Sequence, residues 1–85
     1  MSQAYEFELF HAIGDASSAA ARRFVIDQGL EEVVRFRNVT YPEVQVDLKA
    51  RGGASTPALW GGGQLVTGAE AVIDRLRAWL NLRDR

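Results

Sequence analysis

The chain has 85 residues, 47% of them hydrophobic, and its ten basic and eleven acidic side chains give a formal charge of −1. That is the length of one domain spanning residues 1–85, too apolar for disorder, with no electrostatic footprint for nucleic acid or an anionic membrane surface. No cysteine is present, which excludes disulfides, thiolate metal sites and thiol catalysis, and no segment reaches the roughly 18 apolar residues of a membrane span.

Residues Met1 to Glu6 lack a basic region followed by an apolar one, so the expectation is a cytoplasmic protein without a secretory signal. Tyr5, Phe7 and Leu9 then alternate with glutamates before an apolar run, Phe10 to Ile13. This predicts a strand that begins half exposed and ends buried. Gly14-Asp15-Ala16-Ser17-Ser18 follows, and Asp15 is a good helix N-cap because its carboxylate can accept from free amides. Ala16 to Gln28 reads as a helix with Ala20, Ala21, Phe24 and Val25 on one face, stopped by Gly29. Leu30 to Val39 reads as a second strand, with Val34 and Phe36 on one side and Arg35 and Arg37 on the other.

Thr40-Tyr41-Pro42-Glu43 has capping-box spacing with proline in the first turn. Behind it, Val44 to Arg51 fits strand alternation or a short helix, and the cap and the Gly52-Gly53 stop favour the helix. Pro57 to Trp60 and Gln64 to Val66 read as short strands around the turn Gly61-Gly62-Gly63. Thr67 to Glu70 has capping-box spacing again, and Ala69, Val72, Ile73, Leu76 and Leu80 recur at helical spacing. The predicted order is βαβαββα. The first βαβ unit makes its strands parallel and adjacent, and the hairpin adds antiparallel strands. The expected architecture is an α/β fold, a four-stranded mixed sheet with helices on both faces.

These landmarks, in this order, resemble the glutaredoxin branch of the thioredoxin fold over nearly the whole chain. In that family a Gly-Cys-x-x-Cys turn caps the first helix; counting back from Gly29 sets Gly14, Asp15 and Ser18 at the positions of the glycine and the two cysteines. Ser55-Thr56-Pro57 resembles the family's cis-proline segment, and Thr67-Gly68 with Glu70 resembles the pair that opens its last helix. The N-terminal domain of glutathione S-transferases is similar too, through Pro57-Ala58-Leu59 and Thr67-Gly68-Ala69-Glu70-Ala71. Both cysteines are missing, and the basic residue that glutaredoxins tend to carry just before this turn has no counterpart; His11 and Arg51 are the possible substitutes.

What the resemblance implies is a non-redox protein with a degenerate site. It would bind a peptide or protein through Asp15, Ser17, Ser18, Thr56, Pro57, Gly68, Ala69 and Glu70, with no catalytic residue and no metal. The alternative it implies is a glutathione-binding protein of the transferase kind, in which Ser17 or Ser18 donates to the glutathione thiolate. Each residue also has a plain structural reading: Asp15 as an N-cap, the serines as first-turn residues, Glu70 as the capping partner of Thr67. His11, the only histidine, reads as a hydrogen-bonded residue at a strand end, and Trp60 and Trp79 as core or core-edge side chains.

Overall fold

The computed structural model describes residues 5–83, so the Met1–Ala4 part of the leader reading lies outside them. Seven elements follow in order: β1 (Phe7–His11), α1 (Ala16–Asp27), β2 (Val34–Asn38), α2 (Pro42–Ala50), β3 (Ala58–Gly61), β4 (Gln64–Thr67) and α3 (Ala69–Arg83). The sheet order is β2-β1-β3-β4. β1 and β2 are parallel, with Leu9 opposite Phe36, while β3 runs antiparallel to both β1 and β4. This is a thioredoxin-like α/β fold, with the central strand β1 covered on both sides.

Two apolar clusters explain the covering. On one face Phe7, Leu9, Val34 and Leu59 pack under Ala21 and Val25 of α1 and Val72 and Leu76 of α3. On the other, Phe10 and Ala58 meet Val44 and Leu48 of α2. Strand alternation sends Phe7, Leu9 and His11 one way and Glu8 and Phe10 the other. Glu8 is therefore carried under α2, where it pairs with Arg37, and Arg51 reaches it at 3.0 Å. Arg37 extends the network to Asp47 at 2.6 Å. Trp79 packs edge-on to Phe7, and the Arg51 guanidinium lies over Trp60, so both tryptophans are core-edge side chains.

Both α1 and α2 end in the same way. At α1, Gly29 (φ 66°) donates to the Ile26 carbonyl and Leu30 donates to the Val25 carbonyl. At α2, Gly52 (φ 87°) and Gly53 do the same to Lys49 and Leu48. These are Schellman motifs, which need a left-handed residue where glycine costs least. In the hairpin, Gly62 and Gly63 both have positive φ, as a two-residue type I′ turn requires.

Several sequence expectations are corrected. The Leu30–Val39 strand begins only at Val34, because the Leu30 amide closes the α1 stop and its carbonyl accepts from Val33 and Val34. Ala12 and Ile13 lie beyond β1, and Ile13 is 62% exposed. Ala20 is exposed: the buried stripe of α1 is Ser18, Ala21 and Val25, and Ala20 stands about 200° round the helix from Ser18. Val44–Arg51 resolves as helix through Ala50 with Pro42 in its first turn, but Tyr41 is the N-cap and gives no side-chain cap. The Asn38 side-chain oxygen Oδ1 accepts from the Thr40 amide in an Asx turn, which moves the helix start on by one. Thr67 is likewise no cap: it ends β4 opposite Ala58, and Gly68 (φ 98°) takes the cap position, its carbonyl accepting from Val72.

Candidate functional site

The site is built where three chain segments meet beyond the end of β1. Phe10 is opposite Ala58 in the antiparallel pair, so the residues preceding Ala58 run past the end of β1 towards the start of α1. The Thr56–Pro57 peptide is cis, and Pro57 is buried. Its carbonyl accepts from the Gly68 amide at 2.8 Å. The Thr56 hydroxyl reaches the Asp15 carboxylate, and Gly68 is tied to the same segment through the Pro57 carbonyl. Ser17 is exposed on the first turn of α1, and Ala69 and Glu70, half-buried and exposed, open α3.

Asp15 is the N-cap of α1. Its Oδ2 accepts from the Ser18 amide at 3.2 Å and from the Ser18 hydroxyl at 2.8 Å. The Ser18 hydroxyl bond is the main reason that the carboxyl is held below its ordinary pKa; partial desolvation opposes it, and the Ser18 and Ser17 amides and lastly the Thr56 hydroxyl add to it. Such a group stays ionised near neutral pH and is a poor base. It can accept hydrogen bonds or meet a cation.

Ser18 is wholly buried. Its oxygen accepts from the Ala12 amide at 3.1 Å while its proton goes to Asp15, so its hydroxyl is committed within the protein and does not front the junction as the sequence reading expected. Ser17 does. Glu70 has no capping partner in Thr67, since Thr67 is a strand residue, and it stands exposed at the second position of α3.

His11 is 5% exposed, and its Nδ1 lies 3.1 Å from a terminal nitrogen of Arg22. A guanidinium can only donate, so Nδ1 accepts, and the imidazole is neutral with its proton on Nε2. The same Arg22 nitrogen donates to the Ala12 carbonyl at 3.1 Å. Burial first, and then the charge of Arg22, push the His11 pKa down. The sequence reading placed His11 correctly as a hydrogen-bonded strand-end residue and passed over Arg22. The available signal was spacing: Arg22 follows Ser18 by four positions, on the flank of the stripe that Ala21 and Val25 bury.

Beyond Thr56, an open cleft of about 280 Å³ runs between α2 and the loop 53–56, lined by Val39, Gln45, Leu48, Lys49, Ser55 and Thr56. The Gln45 side chain donates to the Val39 carbonyl at 2.7 Å and fixes one wall. Among the described residues, no group of three or more His, Asp or Glu side chains is placed to hold a metal ion, and no helix is long and apolar enough to cross a membrane. Compared with models of known protein families and with curated proteins, the chain matches none.

Proposed function

We propose that this is a glutaredoxin-like protein whose redox site has become a binding site, and that it recognises an extended peptide segment of a partner protein. The observation that carries this reading is backbone that lacks a partner beside a fixed anion. Neither the Thr56 amide nor its carbonyl has a backbone partner among the described residues, whereas the neighbouring Pro57 carbonyl is taken by Gly68. An extended chain can pair with such an edge, and the ionised Asp15 favours one that brings a lysine or arginine to the start of α1. Thiol exchange needs a protein sulfur to form the mixed disulfide, and the chain has none.

Selection of linear peptides from a random library against the immobilised protein tests this. The expected result is enrichment of sequences with a basic residue, whose binding perturbs the amides of Asp15, Thr56 and Gly68 and weakens in Asp15→Asn. Peptides that map elsewhere, or no enrichment over an Asp15→Lys control, would overturn it. Saturable shifts of the same amides with reduced glutathione would instead support the transferase-like alternative, with Ser17 as the hydroxyl within reach of a thiolate.

A further inference from the structure

One line of hydrogen bonds links the buried imidazole to the candidate site. Arg22 donates one nitrogen to both His11 Nδ1 and the Ala12 carbonyl. The Ala12 amide donates to Ser18 Oγ, and the Ser18 hydroxyl donates to Asp15. Both polar groups of the Ala12 backbone are therefore held by α1 and its cap, the amide through Ser18 and the carbonyl through Arg22 and, at 3.3 Å, the Asp15 amide. The arrangement requires an unprotonated Nδ1.

The surroundings of His11 give a proton little welcome and no compensation. From β2 it meets the Phe36 ring edge-on at 5.6 Å and lies opposite Asn38. The register of β3 brings Pro57 alongside. From α1 it meets Arg22, the charged group that acts on it. Arg37, further along β2, is engaged on the opposite face with Glu8 and Asp47. No carboxylate among these groups could stabilise an imidazolium.

We propose that protonation of His11 is a conformational switch for the Asp15–Thr56 site. A proton on Nδ1 removes the acceptor that Arg22 uses and sets two cations against each other, so Arg22 leaves, the Ala12 carbonyl keeps only the 3.3 Å bond from the Asp15 amide, and the Ala12–Ser18–Asp15 links loosen. The start of α1 is locked at neutral pH and released on acidification. This device does not depend on what the site binds.

The test is an amide NMR titration of the free protein from about pH 8 to about pH 5, the range in which imidazoles change charge, with the His11 ring protons followed in the same samples. The expected result is a His11 midpoint below the ordinary value of about 6.5, shared by the amides of Ala12, Asp15, Ser18 and Thr56. Arg22→Met separates the relay from the through-space effect of a titrating ring. In that variant the His11 midpoint rises and the amides of Asp15 and Thr56 cease to follow it. In His11→Asn, which keeps an acceptor near the Nδ1 position, the same amides stay flat. A His11 that titrates while those amides do not move, or amides that still follow it in Arg22→Met, would overturn the proposal. So would an imidazole that takes up no proton at any pH at which the protein stays folded.

Discussion

The Ser18 hydroxyl donates to the Asp15 carboxylate at 2.8 Å while accepting from the Ala12 amide at 3.1 Å. One buried side chain thus fixes both the anion at the start of α1 and the strand end that precedes it. Its removal leaves the Ala12 amide unsatisfied in a half-buried setting. Ser18→Ala is expected to destabilise the protein by about 1–3 kcal/mol, read from the urea midpoint. A variant as stable as the parent would show that the hydroxyl is dispensable.

Asp15 itself is replaceable as a cap by side chains that accept from the same amide. Asp15→Ala is expected to lower Tm by several degrees, and Asp15→Ser by much less. Equal losses would show that the carboxylate charge, not the capping bond, is what the fold uses.

Acid stability follows from the directions of three pKa shifts. Asp15 is lowered chiefly by the Ser18 hydroxyl, and Asp47 chiefly by its bond to Arg37. Each unfolded carboxyl, near 3.8, binds a proton before the folded one does. Stability is therefore complete above that value and is lost as the pH falls through the folded pKa values. His11 is lowered as well, so the unfolded chain also takes up its proton first, and a separate loss begins just below 6.5. Urea midpoints measured down the pH scale should show both windows. Asp15→Asn should flatten the lower one and His11→Asn should remove the upper.

Two glycines make opposite predictions. A Cβ on Gly61 would stand 2.3 Å from Phe7 Cδ1 and 2.9 Å from the Glu6 carbonyl oxygen, so Gly61→Ala is expected to cost about 1–3 kcal/mol. At Gly14 a Cβ meets nothing within 4 Å, and φ is not positive. Gly14→Ala should be neutral or stabilise by up to about 1 kcal/mol. Thermal melts of the two variants decide both points.

Asp15 also tests the resemblance to the glutaredoxins chemically. Asp15→Cys sets a thiol at the start of α1, among the Ser17 and Ser18 amides that lower the carboxyl pKa. Its thiol pKa, followed by thiolate absorbance, is expected to fall below the ordinary value of about 8.5. An ordinary or raised value would mean that the helix start does not stabilise a sulfur anion.

Much of this architecture was legible because periodicity and chain stops agree. Phe7 and Leu9 alternate, Val72 and Leu76 repeat at helical spacing, and Gly29 and Gly52 stand where a left-handed residue closes a helix. What was missed depends on partners distant in sequence or on backbone turns that override local spacing. Ser18 reads as a polar first-turn residue, and its burial is made affordable by Asp15 together with the Ala12 amide across the turn. Both capping boxes fail by one residue, at α2 because Asn38 captures Thr40 and at α3 because Thr67 remains in the sheet. The Arg22 contact with His11 joins residues eleven apart on different elements, beyond the reach of any periodic pattern.

The central claim is that the Thr56 backbone is the edge on which a peptide pairs. Amide hydrogen exchange measures it directly, with a library-selected peptide absent and then bound. Thr56 should exchange fast in the free protein and become protected when the peptide binds, while the Gly68 amide, already bonded to the Pro57 carbonyl at 2.8 Å, stays protected in both states. A Thr56 amide protected in the free protein, or one that bound peptide leaves unchanged, would contradict the account.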